Sequence, residues 1–388
     1  MPVNNNMFQK NSNISLVAKE IWKNKEVSRI EIARNLNLYR STVTNIISFL
    51  LASGVVKEGY SKESSSVGGR KAISLMLNKE FGCVLGFDIQ PSHYRIVILS
   101  FDGEIVWSTV GSLKYLSLEE MVFTVIEKGL DACKTIVKLP ILALSFSIPG
   151  EIDSKEGKIV NSNPFNIKNF NLKKFIQSKY EYPIFVDNDA NCASWLDLSA
   201  YSNYNNAISL IADYHEDANI FNDRIGIGLG VGIIINGKVY TGSHNKAGEF
   251  CSCTWLKGNT TQNGLSLELL KTTINNEESY KAWFKDTMIS FLPMVIMMDC
   301  DAMVLHGVPF ANKENVLANL QELTPGLLDA LERTDCHLIF DSDLQELVAA
   351  KGAAVRYLVN LFALPDLTEN FDQSLDWSWI IEFSKSQL

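Results

Sequence analysis

The feature that most restricts how this chain can fold is the run Ile184-Phe185-Val186-Asp187-Asn188-Asp189-Ala190-Asn191. Three apolar β-formers lead into two acids and two amides, and Cys192-Ala193-Ser194-Trp195-Leu196 then reads as the opening of a helix. Such a junction belongs at the carboxyl end of a strand in an α/β sheet, where ligand sites gather because loop groups and the helix N-terminus converge. A carboxylate placed there can bind a polyol hydroxyl or take its proton. The same residue types also satisfy the orphan N–H groups of a helix start, so a plain Asx-rich cap is the alternative.

The 388 residues are enough for two or three domains. The longest apolar run, 291–298, contains Pro293 and falls well short of the ~20 residues a membrane helix needs, so no membrane segment is expected. The start Met1-Pro2-Val3-Asn4-Asn5-Asn6 lacks the basic region and apolar core of a signal peptide, which points to the cytoplasm. The seven cysteines are scattered and odd in number, as reduced core residues would be.

Charge is unevenly placed. Residues 1–80 hold 12 Lys and Arg against 6 Asp and Glu, whereas the whole chain carries −9. A basic head on an acidic body points to a polyanionic partner for the head.

In that head, residues 14–23 put Leu16, Val17, Ile21 and, near its edge, Trp22 on one helical stripe. Ser28-Arg29-Ile30-Glu31 is a capping box that starts a second helix over 29–35. A third helix over 39–53 has Val43, Ile46, Ile47, Leu50 and Leu51 on its apolar face and stops at Gly54. Three short helices with a tight turn between the last two make a helix-turn-helix, whose final helix enters the major groove N-terminus first. Arg40, Ser41, Thr44 and Asn45 are then the groups that face DNA: Arg reads guanine, Asn reads adenine, and hydroxyls hold phosphate. A protein-binding three-helix module is the alternative. Against it, strands at 55–59 and 72–77 flank a polar loop ending in Gly68-Gly69-Arg70-Lys71, a wing whose cations Arg70 and Lys71 suit phosphate or a narrow groove.

Ser28-Arg29-Ile30-Glu31-Ile32-Ala33, Arg40-Ser41-Thr42-Val43-Thr44, Gly54 and Gly68-Gly69-Arg70 together resemble the winged head of the ROK regulators, the xylose and N-acetylglucosamine repressor type, in a family that also holds sugar kinases. Tyr39 and Lys71 depart from that pattern, where Ser and Pro are usual. The resemblance covers about residues 13–362. It implies an α/β chain: an N-terminal winged helix-turn-helix (1–80), then a two-lobed actin-like ATPase body of the ROK sugar kinase type (81–365), then a tail (366–388) without a parallel.

The body opens with strands at 83–89, 94–99 and 104–108, the last two joined by the hairpin signal Asp102-Gly103. A helix over 118–135 and a strand over 141–147 follow, leading to the Pro149-Gly150 turn. After the first acidic strand, the family's kinases carry a Gly-Gly-Thr loop that cradles ATP phosphates. Gln90-Pro91-Ser92-His93 stands there instead, without a glycine and with a proline that has no N–H. Farther on, His306 takes a place usually held by glycine. Phosphoryl transfer is therefore not expected, and an ATP-dependent sugar kinase fused to a DNA-binding head is the alternative.

On the sugar side, the resemblance makes Asp189 the kinase's base or, in repressors, a sugar ligand beside Asn188. It adds Asn163 or Asn166 from the preceding loop, Glu249 after Ala247-Gly248, and Glu268. The alternate glycines 226, 228, 230 and 232 let a ligand or a neighbouring backbone come close. The family's structural zinc is expected to be lost, because Ser252 and Ser266 replace a His and a Cys and leave only Cys251 and Cys253. Helices are expected at 280–291, 313–331 and 344–362, with small residues over 349–354 for a close crossing. The implied protein is a sugar-responsive regulator without a cofactor, bound to a duplex operator as a homodimer or homotetramer.

Overall fold

The computed structural model describes residues 5–61, 73–113, 116–201, 203–215, 226–259, 261–341, 346–363 and 376–387. The head begins with α1 (Asn5–Asn24), longer than the apolar stripe alone predicts, followed by β1 (Val27–Ser28), α2 (Arg29–Asn35) and α3 (Arg40–Ala52). The Ser28–Glu31 capping box forms as expected: Glu31 N donates to Ser28 Oγ at 3.3 Å and Ser28 N donates to Glu31 Oε2 at 2.8 Å. Tyr39 precedes α3 without a side-chain cap. Gly54, at φ +78°, supplies the left-handed residue that ends α3. β2 (Val56–Ser61) and β3 (Ile73–Leu77) then pair antiparallel, with β1 on the far side of β3. The wing residues Gly68 to Lys71 lie outside the described residues.

The first lobe of the body holds β4 (Cys83–Ile89), β5 (His93–Ser100), β6 (Ile105–Ser112), α4 (Leu118–Ala132) and β7 (Ile141–Ser147). A small sheet follows, of β8 (Glu151–Asp153), β9 (Lys158–Ser162) and β10 (Ile167–Asn171), and then α5 (Leu172–Gln177), β11 (Ile184–Asp187) and α6 (Asp189–Ala200). The main sheet runs β11-β7-β4-β5-β6, with β4, β7 and β11 parallel and the β4-β5-β6 meander antiparallel. β4, β5 and β7 are apolar along nearly their whole length because both faces of the sheet are covered.

The second lobe holds β12 (Ala207–His215), β13 (Gly226–Ile235), β14 (Lys238–Val239), α7 (Leu267–Thr272), α8 (Glu277–Ile289) and α9 (Leu292–Met298). β15 (Ala302–His306), α10 (Lys313–Leu323), α11 (Pro325–Arg333) and β16 (His337–Phe340) complete it, and its sheet runs β14-β13-β12-β15-β16. The single helix expected over 313–331 is two. Thr324 precedes Pro325 and sits at φ −139°, ψ 52°, because a residue before proline is driven out of the helical region. α9 and β16 were not foreseen, being short apolar segments whose period does not separate helix from strand.

α12 (Val348–Phe362) returns to the first lobe. A Cβ on Gly86 would stand 2.0 Å from the Ala350 carbonyl, and one on Gly352 would stand 1.9 Å from the Cys192 carbonyl, so the small residues do serve a close crossing of β4, α12 and α6. α13 (Trp377–Lys385) packs where head and body meet. Trp377 Nε1 donates to Ser15 Oγ, Ser384 Oγ to the Phe81 carbonyl, and Gln387 Nε2 to the Ile141 carbonyl. One apolar core therefore runs from Ile14 and Val17 of the head through Val97 and Leu358 to Ile380 of the tail.

Candidate functional site

The junction after β11 sorts its polar residues into different duties. Asn188 is the N-cap of α6: its Oδ1 accepts from Ala190 N at 2.9 Å and Asn191 N at 3.4 Å, and its Nδ2 donates to the Gly150 carbonyl at 2.8 Å. Asp187 is buried and accepts from Asn191 Nδ2 at 2.9 Å and Trp195 Nε1 at 3.0 Å, with Arg356 Nη1 3.3 Å away. Capping and ligand site are thus not competing readings. The cap consumes the bonding capacity of its neighbours and leaves Asp189, in the first turn of α6, on the wall of a cavity.

The glycines of β13 explain how α6 comes so close. A Cβ on Gly230 would lie 3.0 Å from Ala190 Cβ and 3.6 Å from Asp189 Oδ1, and one on Gly232 would lie 2.0 Å from Ser194 Oγ. They admit a helix as well as the cavity beside it. The cavity measures about 480 Å³ and lies between the lobes. Asn163, Asn188, Asp189 and Glu249 all line it. Gly248, at φ +88°, presents Glu249: a Cβ there would stand 1.8 Å from the Val231 carbonyl, which reserves the position for glycine.

Two expected site residues are not in this constellation. Asn166 is exposed, at φ 52° in the turn after Asn163, and does not line the cavity; the turn reverses the chain before it can. Glu268 is exposed on the first turn of α7, whereas Leu270 lines the cavity. Two residues along a helix rotate a side chain by about 200°, so Glu268 points away from the wall that Leu270 faces.

Burial pushes the Asp189 carboxyl up to about 6, reinforced by the charges of Asp88 and Glu249. Residues that were not foreseen shape the rest of the pocket. Gln262 grips β13 through both amide atoms, accepting from Leu229 N at 3.0 Å and donating to the Leu229 carbonyl at 2.6 Å. It thereby holds the loop that carries Trp255, another lining residue, against the strand.

Beside Asp189, the cavity wall supplied by β4 and β5 carries polar groups that bond to one another. Gln90 N donates to the His93 carbonyl at 2.9 Å, so Pro91 and Ser92 form the tip of a tight hairpin. Arg95, on β5, donates to Asp88 Oδ2 at 2.8 Å and to Asp213 Oδ2, across the cleft on β12, at 2.7 Å. Asp88 is fully buried and also accepts from Ser147 Oγ at 2.9 Å and Gln90 Nε2 at 3.3 Å. Burial works against the Arg95 charge, yet the two carboxylates raise its pKa overall. His93, on the same wall, is lowered by burial and by Arg95. Asp88 and Arg95 face each other in the hairpin register. An arginine in a strand that is otherwise mostly apolar and buried was the available sign that a buried acid must lie near it.

His306 is buried at the end of β15, with Nε2 3.0 Å from Asp197 Oδ1 and Nδ1 3.6 Å from Asp341 Oδ2. Burial opposes its charge, but Asp197 and then Asp341 raise its pKa overall. The 251–264 loop is held by hydrogen bonds. Ser252 Oγ accepts from Gly264 N, Thr254 Oγ1 donates to Asp286, Asn263 Nδ2 donates to Asp286 Oδ2, and Cys253 N donates to Ser290 Oγ. Cys251 and Cys253 are exposed, and no group of three or more His, Cys, Asp or Glu is placed to hold a metal among the described residues.

In the head, Arg40, Ser41, Thr44 and Asn45 form an exposed surface on the first half of α3, opposite the buried Val43, Ile46 and Ile47. The Thr44 hydroxyl donates to the Arg40 carbonyl at 2.8 Å. Arg70 and Lys71 lie outside the described residues. No described helix is long and apolar enough to cross a membrane.

The ROK family profile matches residues 115–254. The xylose repressor of Caldicellulosiruptor bescii is 29% identical over 250 residues, covering 63% of this chain and 59% of that one. The xylose repressor of Bacillus subtilis is 30% identical over 251 residues, covering 64% and 62%. The chain thus spans about three fifths of the length of these curated relatives. Among solved structures, a ROK family transcriptional regulator, described as a homolog of the E. coli MLC protein, superposes with a TM-score of 0.68 at 16% identity over 97% of this chain and 100% of that one. Residues 115–254 match the ROK family model, and the chain shares its fold with a solved ROK transcriptional regulator.

Proposed function

We propose that this chain is a sugar-responsive transcriptional regulator, a repressor, in which residues 1–80 bind duplex operator DNA and residues 81–365 sense a sugar or sugar derivative. The relatives named as xylose repressors support this reading. One observation carries it: the 90–93 turn, where a kinase would need to hold phosphates, has no glycine and stands beside an Arg95 held between Asp88 and Asp213, while Asp189 and Glu249 line the same cavity. Asn163 and Asn188 join those two acids as ligand contacts, and Arg40, Ser41, Thr44, Asn45, Arg70 and Lys71 contact DNA. Paired half-sites require paired heads, so the working form is a homodimer or homotetramer, in the cytoplasm.

An ATP-dependent sugar kinase is the second reading, favoured by the Asp189 pKa of about 6, a range suited to a general base. Turnover of ATP over a sugar panel separates the two: no sustained phosphorylation is expected. Operator binding should fall steeply as salt rises, and Arg40→Ala should relax base preference at a cost of about 1–3 kcal/mol. If the full chain ignores promoter DNA at low salt, the regulator reading fails.

A further inference from the structure

The cavity wall is strongly acidic. Its described lining residues carry five carboxylates, those of Asp88, Asp189, Asp213, Glu249 and Glu346, against a single cation, Arg95. Both terminal nitrogens of that guanidinium are already engaged, Nη1 by Asp88 and Nη2 by Asp213. A guanidinium held by two carboxylates, with only its Nε left without a partner, has no free fork with which to receive a phosphate. An incoming anion would have to displace Asp213, which is one-third exposed, and would then face the remaining acids at short range.

We infer that the Asp88–Arg95–Asp213 bridge makes the cavity a charge filter, selecting uncharged or amine-bearing monosaccharides and excluding sugar phosphates, with Asp213 as the specificity-determining residue. The inference rests on the sugar-sensor reading above. It also gives the bridge a second duty. Asp88 and Arg95 belong to the first lobe and Asp213 to the second, so the contact that repels anions also ties the lobes together across the ligand cavity. Lys246 of the second lobe makes a second such tie, to Glu151 of the first, at 3.1 Å.

Asp213→Asn is the informative variant. It leaves the Asp88–Arg95 pair in place, and its amide oxygen can still accept from Tyr214 N, as Asp213 Oδ1 does at 2.9 Å. What it removes is one negative charge and the grip on Arg95 Nη2. Calorimetric titration of the full chain with xylose, glucose, glucosamine, glucose 6-phosphate and glucosamine 6-phosphate tests the inference. In the wild type at least one free sugar or amino sugar should bind, with its ester at least tenfold weaker. In Asp213→Asn the ester should gain at least tenfold and the amino sugar should weaken, a gain that a merely structural residue would not produce. A wild-type protein that binds an ester as tightly as its parent sugar overturns the charge filter and leaves the sugar sensor standing. If no member of the panel binds, both fall. Should Asp213→Asn not fold, the wild-type comparison of sugar with ester decides alone.

Discussion

Asp189 and Asp88, two acids at the carboxyl ends of strands, line the same interlobe cavity and meet different surroundings. Asp189 stands on a helix start, its neighbours absorbed into capping, and its own carboxyl accepts from Ala190 N at 2.9 Å while it lines the cavity. Asp88, close enough for its charge to act on Asp189, is sealed beneath Arg95, Ser147 and Gln90. A carboxylate whose acceptor sites are all taken by protein donors stabilises a fold; one held near neutrality in a cavity remains available to a ligand. Local environment, more than residue type, separates structure from site.

The largest test of this contrast is Arg95→Met. It leaves the buried Asp88 without its cation, and breaking a buried pair from one side typically costs about 3–5 kcal/mol. Urea denaturation should show that loss, and a change below about 1 kcal/mol would mean that Arg95 does not hold Asp88 in place. Next comes Gly232→Ala, whose methyl would collide with Ser194 Oγ and the Ala190 carbonyl at 2.4 Å. α6 must shift, taking Asp189 with it, so sugar affinity should fall about tenfold or more, roughly 1.4 kcal/mol.

A smaller effect follows from the raised pKa of Asp189. Between the ordinary carboxylate pKa of about 4 and the folded value of about 6, the folded state binds more protons than the unfolded one. The contribution of this group to stability therefore declines as pH rises through that window. A sugar hydroxyl donating to the ionised carboxylate should reverse the trend. Ligand affinity should then rise severalfold from pH 5 to 7, with protons released on binding at the lower pH. Titration in buffers of different ionisation enthalpy reads this directly, and a flat profile would assign the ligand contact elsewhere. The smallest expected effect is that of Glu268→Ala, an exposed substitution that should leave sugar affinity and stability within about 0.5 kcal/mol of wild type.

Much of the fold was legible because it is written in short-range terms. The Ser28–Glu31 box, the Gly54 stop, the Asp102-Gly103 hairpin and the β11–α6 junction each depend on residues within a few positions of one another. Asn163 and Glu249 could be placed at the cavity by resemblance, whereas Asn166 and Glu268 could not be separated from them without knowing which way a turn and a helix face. The alternating glycines announced close approach, but not that α6 is what approaches.

Local periodicity and capping chemistry in the sequence by themselves determined the three helices of the head and the junction that presents Asp189, whereas the two-lobed α/β body was implied by resemblance. Tertiary structure alone decided which buried charges became partners. Arg95 meets Asp213 across 118 positions, Arg356 reaches the Val186 carbonyl across 170, and Trp377 reaches Ser15 across 362. A buried charge or donor must find a partner or unfold the site around it, and sequence states that requirement at each position. Which distant group meets it depends on how strands and helices cross, and that is known only once the chain has closed on itself.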